Sequence, residues 1–446
     1  MDQVLKLREY ESARIGSRWD PERREIPEAS VGQIEALQAD QRSEILSIGR
    51  RHVTARNYVG TVGLESRAID LLPKIDEPDD AQARSRLVEM LSVGGLVPSL
   101  DAGETRLALR APTLLDAFLS VYVRRLTMEW RRGHIRDYLR RDAARPYLRG
   151  KLLFSEHIRR ALVRPDRFYT RADEFIEDVP LSRLLKLALE TCRGYAVSEE
   201  TRHSAVELLQ DFRGVSDGLS PAQIDAISID RRTERFRRVV ELARAIASRR
   251  TLEGAGSRPS YSLVFDMNTV FEAYVGRLMR RLAPALGLAA DLQVSGRSLV
   301  LRSGQGRFRL RPDIAVWRGG KLLALVDTKW KRLDLDRPHE NVSQSDVYQM
   351  YAYGREYDCA TVVLLYPRFG ALPEHVATYH HQPGGSGSRR IEVRTVDVAK
   401  ETRGDLLRLL AGMCPKEEHR SSLSLVAGPP EARADAPLIA GSLRSI

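Results

Sequence analysis

The sequence predicts an α/β protein in three parts: a small β-rich N-terminal domain, a helical middle region, and a C-terminal α/β domain on one mixed central sheet. Three observations carry this reading. Residues 53–75 mix β-branched and aromatic side chains with Gly, a composition that favours strands. Leu115, Phe118, Leu119, Tyr122, Leu126 and Trp130 recur at helical spacing. Beyond residue 261, a helical pattern is followed by strand-like runs, a second helix and a strongly apolar strand, an order that places helices against a central sheet. The 446 residues leave room for two or three domains. The expected boundaries are 1–110, 111–255 and 256–415, with a polar tail, rich in Pro and Ala, from 416 to 446.

In the first part, VTARNYVGTVGLESRAIDLLPKI (53–75) reads as two strands, with LESRA as the turn between them. Pro73 and the acidic run DEPDD (76–80) end it. AQARSRLVEMLSVGG (81–95) then reads as a helix stopped by Gly94 and Gly95. In the second part, Pro112 opens a helix. Arg132, Arg136 and Arg140 are four apart, so a continued helix would align them in one basic stripe. Such a stripe is either a solvated face or a surface for phosphate or a partner. The same two readings hold for the basic helix expected over 231–250. TLEGAGSRPS (251–260) is the expected linker. In the third part, a helix is expected at 265–283, strands in RSLVLRS, RFRLRPDIAVW and KLLALVDTKWK, a helix at 343–357 and a strand at 360–367. HHQPGGSGSRR (380–390) reads as a hairpin loop before the strand IEVRTVDV.

Composition bounds the function. Hydrophobic residues make up 43% of the chain, enough for packed cores. Basic residues outnumber acidic ones by 71 to 60, a net charge of +11. Arg-rich surfaces suit a nucleic acid, although a GC-rich coding sequence produces the same bias. Cys192, Cys359 and Cys414 lie far apart. That spacing argues against a zinc ribbon, an iron–sulfur cluster or a disulfide framework, and fits a reducing cytoplasm. The first twenty residues carry charges throughout, so no secretory signal is expected. No apolar run approaches the length of a membrane span.

The chemistry concentrates in RPDIAVWRGGKLLALVDTKWKRL (311–333). RGGK suits a tight turn between two strands. Asp327 and Lys329 are separated by one residue, so a strand points both to one face. The hairpin brings Asp313 beside them. Two carboxylates can hold Mg²⁺, with Mn²⁺ able to replace it, and an adjacent ammonium can position water or phosphate. Alone, Asp-x-Lys is common and usually structural. Here it ends an apolar strand, where buried charge needs partners or a metal. Glu272, on the preceding helix, is either a third metal ligand or a residue at the edge of the buried face. Asp346, Gln349 and Tyr353 share a face of the later helix and could meet the site, with Tyr348 as the alternative to that face.

Together these residues resemble the PD-(D/E)xK nuclease superfamily: Pro312-Asp313, thirteen intervening residues, then Asp327-Thr328-Lys329. The third motif position is Asp where Glu is the other accepted choice. The resemblance extends to the McrC family of modification-dependent restriction systems. FEAYVGRLM, RPDIAVW, VDTKWK and DVYQMYAYG are similar to that family's nuclease domain, NYVGTV with LLPKI to its N-terminal domain, and segments of 151–189 to its middle region. It covers most of residues 50–370.

The resemblance implies a metal-dependent endodeoxyribonuclease subunit with a restriction-endonuclease-like C-terminal domain. It implies Asp313, Asp327 and Glu272 as metal ligands, Lys329 at the nucleophile or phosphate, and Gln349 as an auxiliary. It also implies two partners: double-stranded methylated DNA and a McrB-like AAA+ ring that binds GTP and whose hydrolysis this subunit stimulates. The chain itself shows no G-x-x-x-x-G-K-[ST] nucleotide loop. Two other readings share the fold: a catalytically idle scaffold that activates the GTPase, and a standalone repair nuclease.

Overall fold

The computed structural model describes residues 4–64, 67–161, 163–247, 261–302, 305–380 and 389–414. The expected linker at 251–260, the body of the 380–390 loop and the tail from 416 lie outside these residues. The protein is a mixed α/β structure with several sheets and many helices.

The N-terminal region holds two four-stranded sheets. In one, Val4–Arg8 runs parallel to Arg67–Leu72, which pairs antiparallel with Tyr58–Leu64. The fourth strand is Tyr261–Asp266, antiparallel to Tyr58–Leu64. That segment was expected to begin the C-terminal domain. It instead crosses back because five of its six residues are buried, and the open edge of Tyr58–Leu64 supplies their backbone partners. Gly60 makes the close approach possible. Its φ is +123°, and a Cβ there would lie 1.9 Å from the Leu263 carbonyl oxygen, a position only glycine tolerates. The second sheet runs Glu25–Pro27, Ser12–Gly16, His52–Ala55, Leu46–Ile48. Helix Glu28–Gln41 covers it with Val31, Ile34 and Leu37.

Helix Asp80–Gly94 ends at Gly95, whose φ of +64° provides the left-handed cap expected of that glycine pair. Asp70 and Arg84 tie this helix to the sheet. Arg84 Nη2 is 2.7 Å from Asp70 Oδ2, and both residues are buried. Thr61 Oγ1 and the Leu114 amide donate to Asp70 Oδ1, while Arg84 Nη1 donates to the Ala111 carbonyl. Both carboxylate oxygens and the guanidinium thus have partners, the condition under which a buried charge is tolerated.

Helix Leu114–Arg131 is capped by Thr113, whose Oγ1 accepts from the Asp116 amide. Leu115, Phe118, Leu119, Tyr122, Leu126 and Trp130 are all buried on it. The helix does not continue through Arg140. Gly133, at φ +139°, turns the chain out, and Asp137–Arg145 is a strand. Arg132, Arg136 and Arg140 therefore form no helical stripe. A three-stranded antiparallel sheet, Asp137–Arg145, Phe168–Ile176 and Lys151–Leu152, stands where helix was expected. Glycine and the alternation of YTRADEF override helix propensity here. Helices Pro180–Tyr195, Glu199–Leu209 and Arg237–Ala247 follow. The basic helix expected over 231–250 is present at Arg237–Ala247, after a 3-10 turn at Glu234–Phe236, and residues 248–250 lie outside the described residues.

The C-terminal sheet has six strands in the order Ala289–Leu292, Ile314–Arg318, Lys321–Thr328, Thr361–Pro367, Arg390–Val396, His375–His380. The Lys321–Thr328, Thr361–Pro367 and Arg390–Val396 strands are parallel, and the other pairings are antiparallel. Strand periodicity sorts its two faces. Ile314, Val316, Val326, Val363 and Leu365 pack with helices Met267–Leu282 and Thr402–Gly412. Ala315, Leu325, Val362, Leu364 and Tyr366 pack with helix Gln344–Glu356. A separate two-stranded ribbon, Arg297–Arg302 with Gln305–Leu310, precedes the hairpin that carries Asp313 and Asp327.

Candidate functional site

The hairpin Ile314–Arg318/Lys321–Thr328 turns through Gly319 and Gly320, at φ +54° and +80°. Two successive positive φ values match the twist of a two-residue hairpin, and glycine supplies them without steric cost. The register pairs Ile314 with Val326, so the next step brings Asp313 level with Asp327. Asp313 Oδ2 accepts from both the amide and the hydroxyl of Thr328, each at 2.7 Å. Asp327 is 2% exposed. The Lys329 ammonium lies against Asp327 Oδ2 as an ion pair. Apart from this ion pair, no donor reaches that buried oxygen among the described residues.

The same strand parity aims Asp327 at helix Gln344–Glu356. Lys329 Nζ donates to Gln349 Oε1 at 3.1 Å, and Gln349 Nε2 donates to the Tyr353 hydroxyl at 2.8 Å. Asp346 pairs with Lys331 Nζ at 2.7 Å. The helix face read from Asp346, Gln349 and Tyr353 is thus the one turned to the site. Tyr348 is 64% exposed and points elsewhere.

Glu272 approaches from helix Met267–Leu282. Gln293 Nε2 donates to its Oε1 at 2.6 Å, and Gln293 Oε1 accepts from Arg311 Nη2. The Gln293 backbone amide also donates to the Asp313 carbonyl at 2.7 Å. Glu272 therefore joins the hairpin through Gln293 and Arg311. Neither of these two was anticipated, because their link spans separate elements with no common period. Thr328 was passed over inside the Asp-x-Lys motif, although it holds Asp313.

The electrostatics follow the burial. Burial raises the Asp313 carboxyl, partly offset by the Thr328 donors and Lys329. Burial, then the neighbouring Asp313, pushes Asp327 up to about 7, against the pull of Lys329. Burial and Asp313 also raise Glu272. Neighbouring carboxyl groups raised by burial and by one another are a recurring feature of functional sites. A hard divalent cation would relieve this repulsion. Among the described residues no three carboxylate, imidazole or thiol groups converge into a ready cation cage. The pair Asp313 and Asp327 still suits Mg²⁺, which keeps several waters and needs only one or two protein carboxylates.

A further contact reaches the site from the N-terminal sheet. Trp330, next to Lys329, donates its indole N–H to the Glu9 carboxylate at 3.0 Å. Glu9 also accepts from the Lys74 amide at 2.9 Å. It is 1% exposed, and burial pushes its carboxyl up to about 7. Trp330 packs against Phe271 and Phe369. No local pattern connects residues 321 positions apart, so sequence reading could not find this tie.

Comparison with known proteins gives consistent results. A family model described as the McrBC 5-methylcytosine restriction system component matches residues 53–367, more than half of the chain. No curated protein sequence matches. In fold, the chain is similar to a chain of a half-complex from a tetradecameric assembly of Thermococcus gammatolerans McrB AAA+ hexamers with bound McrC. The TM-score is 0.71 at 19% identity, over 92% of this chain and 100% of that one. A chain of the Thermococcus gammatolerans McrBC complex is also similar, with a TM-score of 0.50 at 22% identity, over 62% of this chain and 87% of that one. No helix among the described residues is long and apolar enough to cross a membrane. The family resemblance carried by RPDIAVW, VDTKWK and NYVGTV is borne out by the matched model, and the chain belongs to the McrBC 5-methylcytosine restriction system component family.

Proposed function

We propose that the chain is the McrC-type DNA-cutting subunit of a GTP-dependent restriction complex. It hydrolyses phosphodiester bonds of double-stranded methylated DNA, and its C-terminal sheet with flanking helices is a PD-(D/E)xK nuclease domain. The observation that carries this reading is the buried pair Asp313 and Asp327 at the open end of a hairpin, with Lys329 held between Asp327 and Gln349. Asp313 and Asp327 would hold Mg²⁺ or Mn²⁺, with Glu272 at their margin. When bound, the ion supplies Lewis-acid stabilisation of charge at phosphorus and an activated water.

The chain's own residues do the positioning. Thr328 fixes one oxygen of Asp313, and among the described residues no hydrogen bond engages the other. Gln349 directs the Lys329 ammonium, whose charge offsets the negative charge that grows on the phosphate. The Tyr353 hydroxyl orients Gln349 in turn.

An AAA+ ring of the McrB type is the proposed partner. The assemblies named for the similar structures support it, and this chain would stimulate the partner's GTPase. The test is cleavage of methylated plasmid by the chain with its AAA+ partner, GTP and Mg²⁺. Asp313→Ala should abolish cutting and Lys329→Ala should reduce it on the order of 10²–10³-fold, both leaving the complex intact on gel filtration. Cutting retained in both variants overturns the site. A second reading, an idle scaffold, draws on the lack of a three-group cation cage among the described residues. GTPase stimulation with no cleavage in any divalent metal would favour it.

A further inference from the structure

We propose that the ribbon Arg297–Arg302/Gln305–Leu310 is a duplex-DNA clamp that delivers the phosphodiester backbone to Asp313 and Asp327. The inference rests on the nuclease reading and names the surface by which that site holds its substrate.

Four features carry it. First, the charge of the ribbon is one-sided. Residues 297–310 contain Arg297, Arg302, Arg307 and Arg309 and no carboxylate. Among the described residues none of these four lies within ion-pair reach of Asp or Glu, and the Arg307 side chain reaches only Gln305, a neutral amide at 3.4 Å. Some surface arginines elsewhere are paired, such as Arg171 with Asp142, Arg136 with Glu177 and Arg237 with Glu234, each at 2.6 Å. Others, such as Arg280 and Arg281, have no ion pair among the described residues. What sets the ribbon apart is that its arginines are gathered on one hairpin without a carboxylate. A cluster without a counter-charge among the described residues costs repulsion, which a bound polyanion would relieve.

Second, the register places the arginines together. Ser298 pairs with Arg309, Val300 with Arg307 and Arg302 with Gln305. Alternate residues of one strand and their cross-strand partners share a face. Arg302, Arg307 and Arg309 therefore share one parity of the register, with the backbone left-handed at Phe308 (φ +55°) between the last two. Three guanidinium groups in a row match the repeating phosphates of a backbone, each able to take two oxygens.

Third, the ribbon is exposed and lacks a core of its own. Leu299, Val300 and Phe308 are 45%, 47% and 76% exposed. Its base is fixed where the Tyr357 hydroxyl donates to the Leu310 carbonyl at 3.1 Å. A two-stranded ribbon fits the major groove of B-form DNA, about 12 Å wide, whereas the major groove of duplex RNA is too narrow for it.

Fourth, the ribbon runs directly into the site. Arg309 stands four residues before Asp313, a reach of at most about 14 Å. Between them, Arg311 is engaged with Gln293 and through it with Glu272. A phosphate held by Arg309, at the base of the ribbon, is therefore held within that reach of the carboxylates.

The test uses the full chain and a short fluorescein-labelled DNA duplex without divalent metal, read by anisotropy across a salt series. Arg302→Ala/Arg307→Ala/Arg309→Ala should lower the slope of log affinity against log salt by about 3 and weaken binding at least about tenfold. The matching Lys variant should keep the slope, and Arg140→Ala/Arg171→Ala, on the other sheet, should leave it unchanged. Unaltered slope and affinity in the triple Ala variant, with wild-type melting, overturn the clamp. So does equal affinity for duplex RNA or for an acidic peptide. The two readings fail separately. A wild-type protein that binds DNA through these arginines and never cuts refutes the nuclease and keeps the clamp. One that cuts, with a triple variant that binds and cuts as well as wild type, refutes the clamp alone.

Discussion

Two antiparallel sheets project arginines from this chain, and they use them in opposite ways. In the sheet Asp137–Arg145/Phe168–Ile176, Arg140 faces Asp173, Arg141 and Arg145 face Glu174, and Arg171 faces Asp142. Its charges close on themselves across the strands, and what it leaves outside is apolar: Tyr138 and Phe175, in contact at 4.9 Å, with Phe154 and Ile158 beyond. The ribbon 297–310 contains no carboxylate, and among the described residues none pairs with its arginines. The number of arginines is therefore a poor guide to a nucleic-acid surface. Whether each has an acidic neighbour on the adjacent strand decides it, because a paired guanidinium has spent its donors and much of its field. By the same logic the ribbon, and not the first sheet, is the surface proposed for a polyanion.

Several measurements would break or sharpen this contrast. The largest expected effect concerns a pair that is buried. Asp70→Ala leaves Arg84 charged and enclosed, and should cost about 3–5 kcal/mol in urea melts. A loss no larger than that of an exposed pair would remove the distinction between enclosed and solvated arginines.

Next comes the site to which the ribbon leads. Lys329→Ala should reduce cleavage by the assembled complex on the order of 10²–10³-fold, while Arg171→Ala on the first sheet should leave cleavage intact. Dependence of cutting on Arg171 would reverse the assignment of the two sheets.

The Glu9–Trp330 tie tests whether the N-terminal sheet and the site share stability. The folded protein holds the Glu9 proton more tightly than the unfolded chain, up to about 7 against an ordinary 4.5. This contribution is fully present below pH 4.5 and is lost as pH rises toward 7. Glu9→Gln should abolish that decline and gain up to about 3 kcal/mol over wild type above about pH 7. Parallel stability profiles for the two proteins from pH 4.5 to about 7 would refute the buried carboxylate.

The smallest effect is expected at the exposed pair Arg171–Asp142. Asp142→Asn should melt with wild type, because solvent screens the lost attraction. A clear drop in melting temperature would mean that this sheet depends on its ion pairs for order.

Much of the site was legible in the sequence because it is local. Asp313, Asp327 and Lys329 sit on one hairpin whose turn is set by Gly319 and Gly320 and whose faces follow from the two-residue period. Gln349 and Tyr353 followed from helical spacing, and the helix Gln344–Glu356 lies within its expected bounds, capped by Ser343. Gly95 ended its helix as read. The Arg132 stripe failed because a single residue, Gly133, outweighed four-residue spacing. Its backbone freedom ended a pattern that side-chain periodicity alone would continue.

The sequence by itself determined the elements and the chemistry within each: which residues face a core, where a helix stops, and which three groups one hairpin gathers. Tertiary structure alone decided the contacts between elements. It placed Tyr261–Asp266 in the N-terminal sheet, bound Trp330 to Glu9, linked Glu272 to Arg311 through Gln293, and gave the arginines of one sheet their carboxylates and, among the described residues, those of the ribbon none. The physical reason is range. Backbone dihedrals and side-chain periods act over a few residues, whereas burial and charge pairing depend on which distant surfaces meet, and that is fixed by the packing of the whole chain.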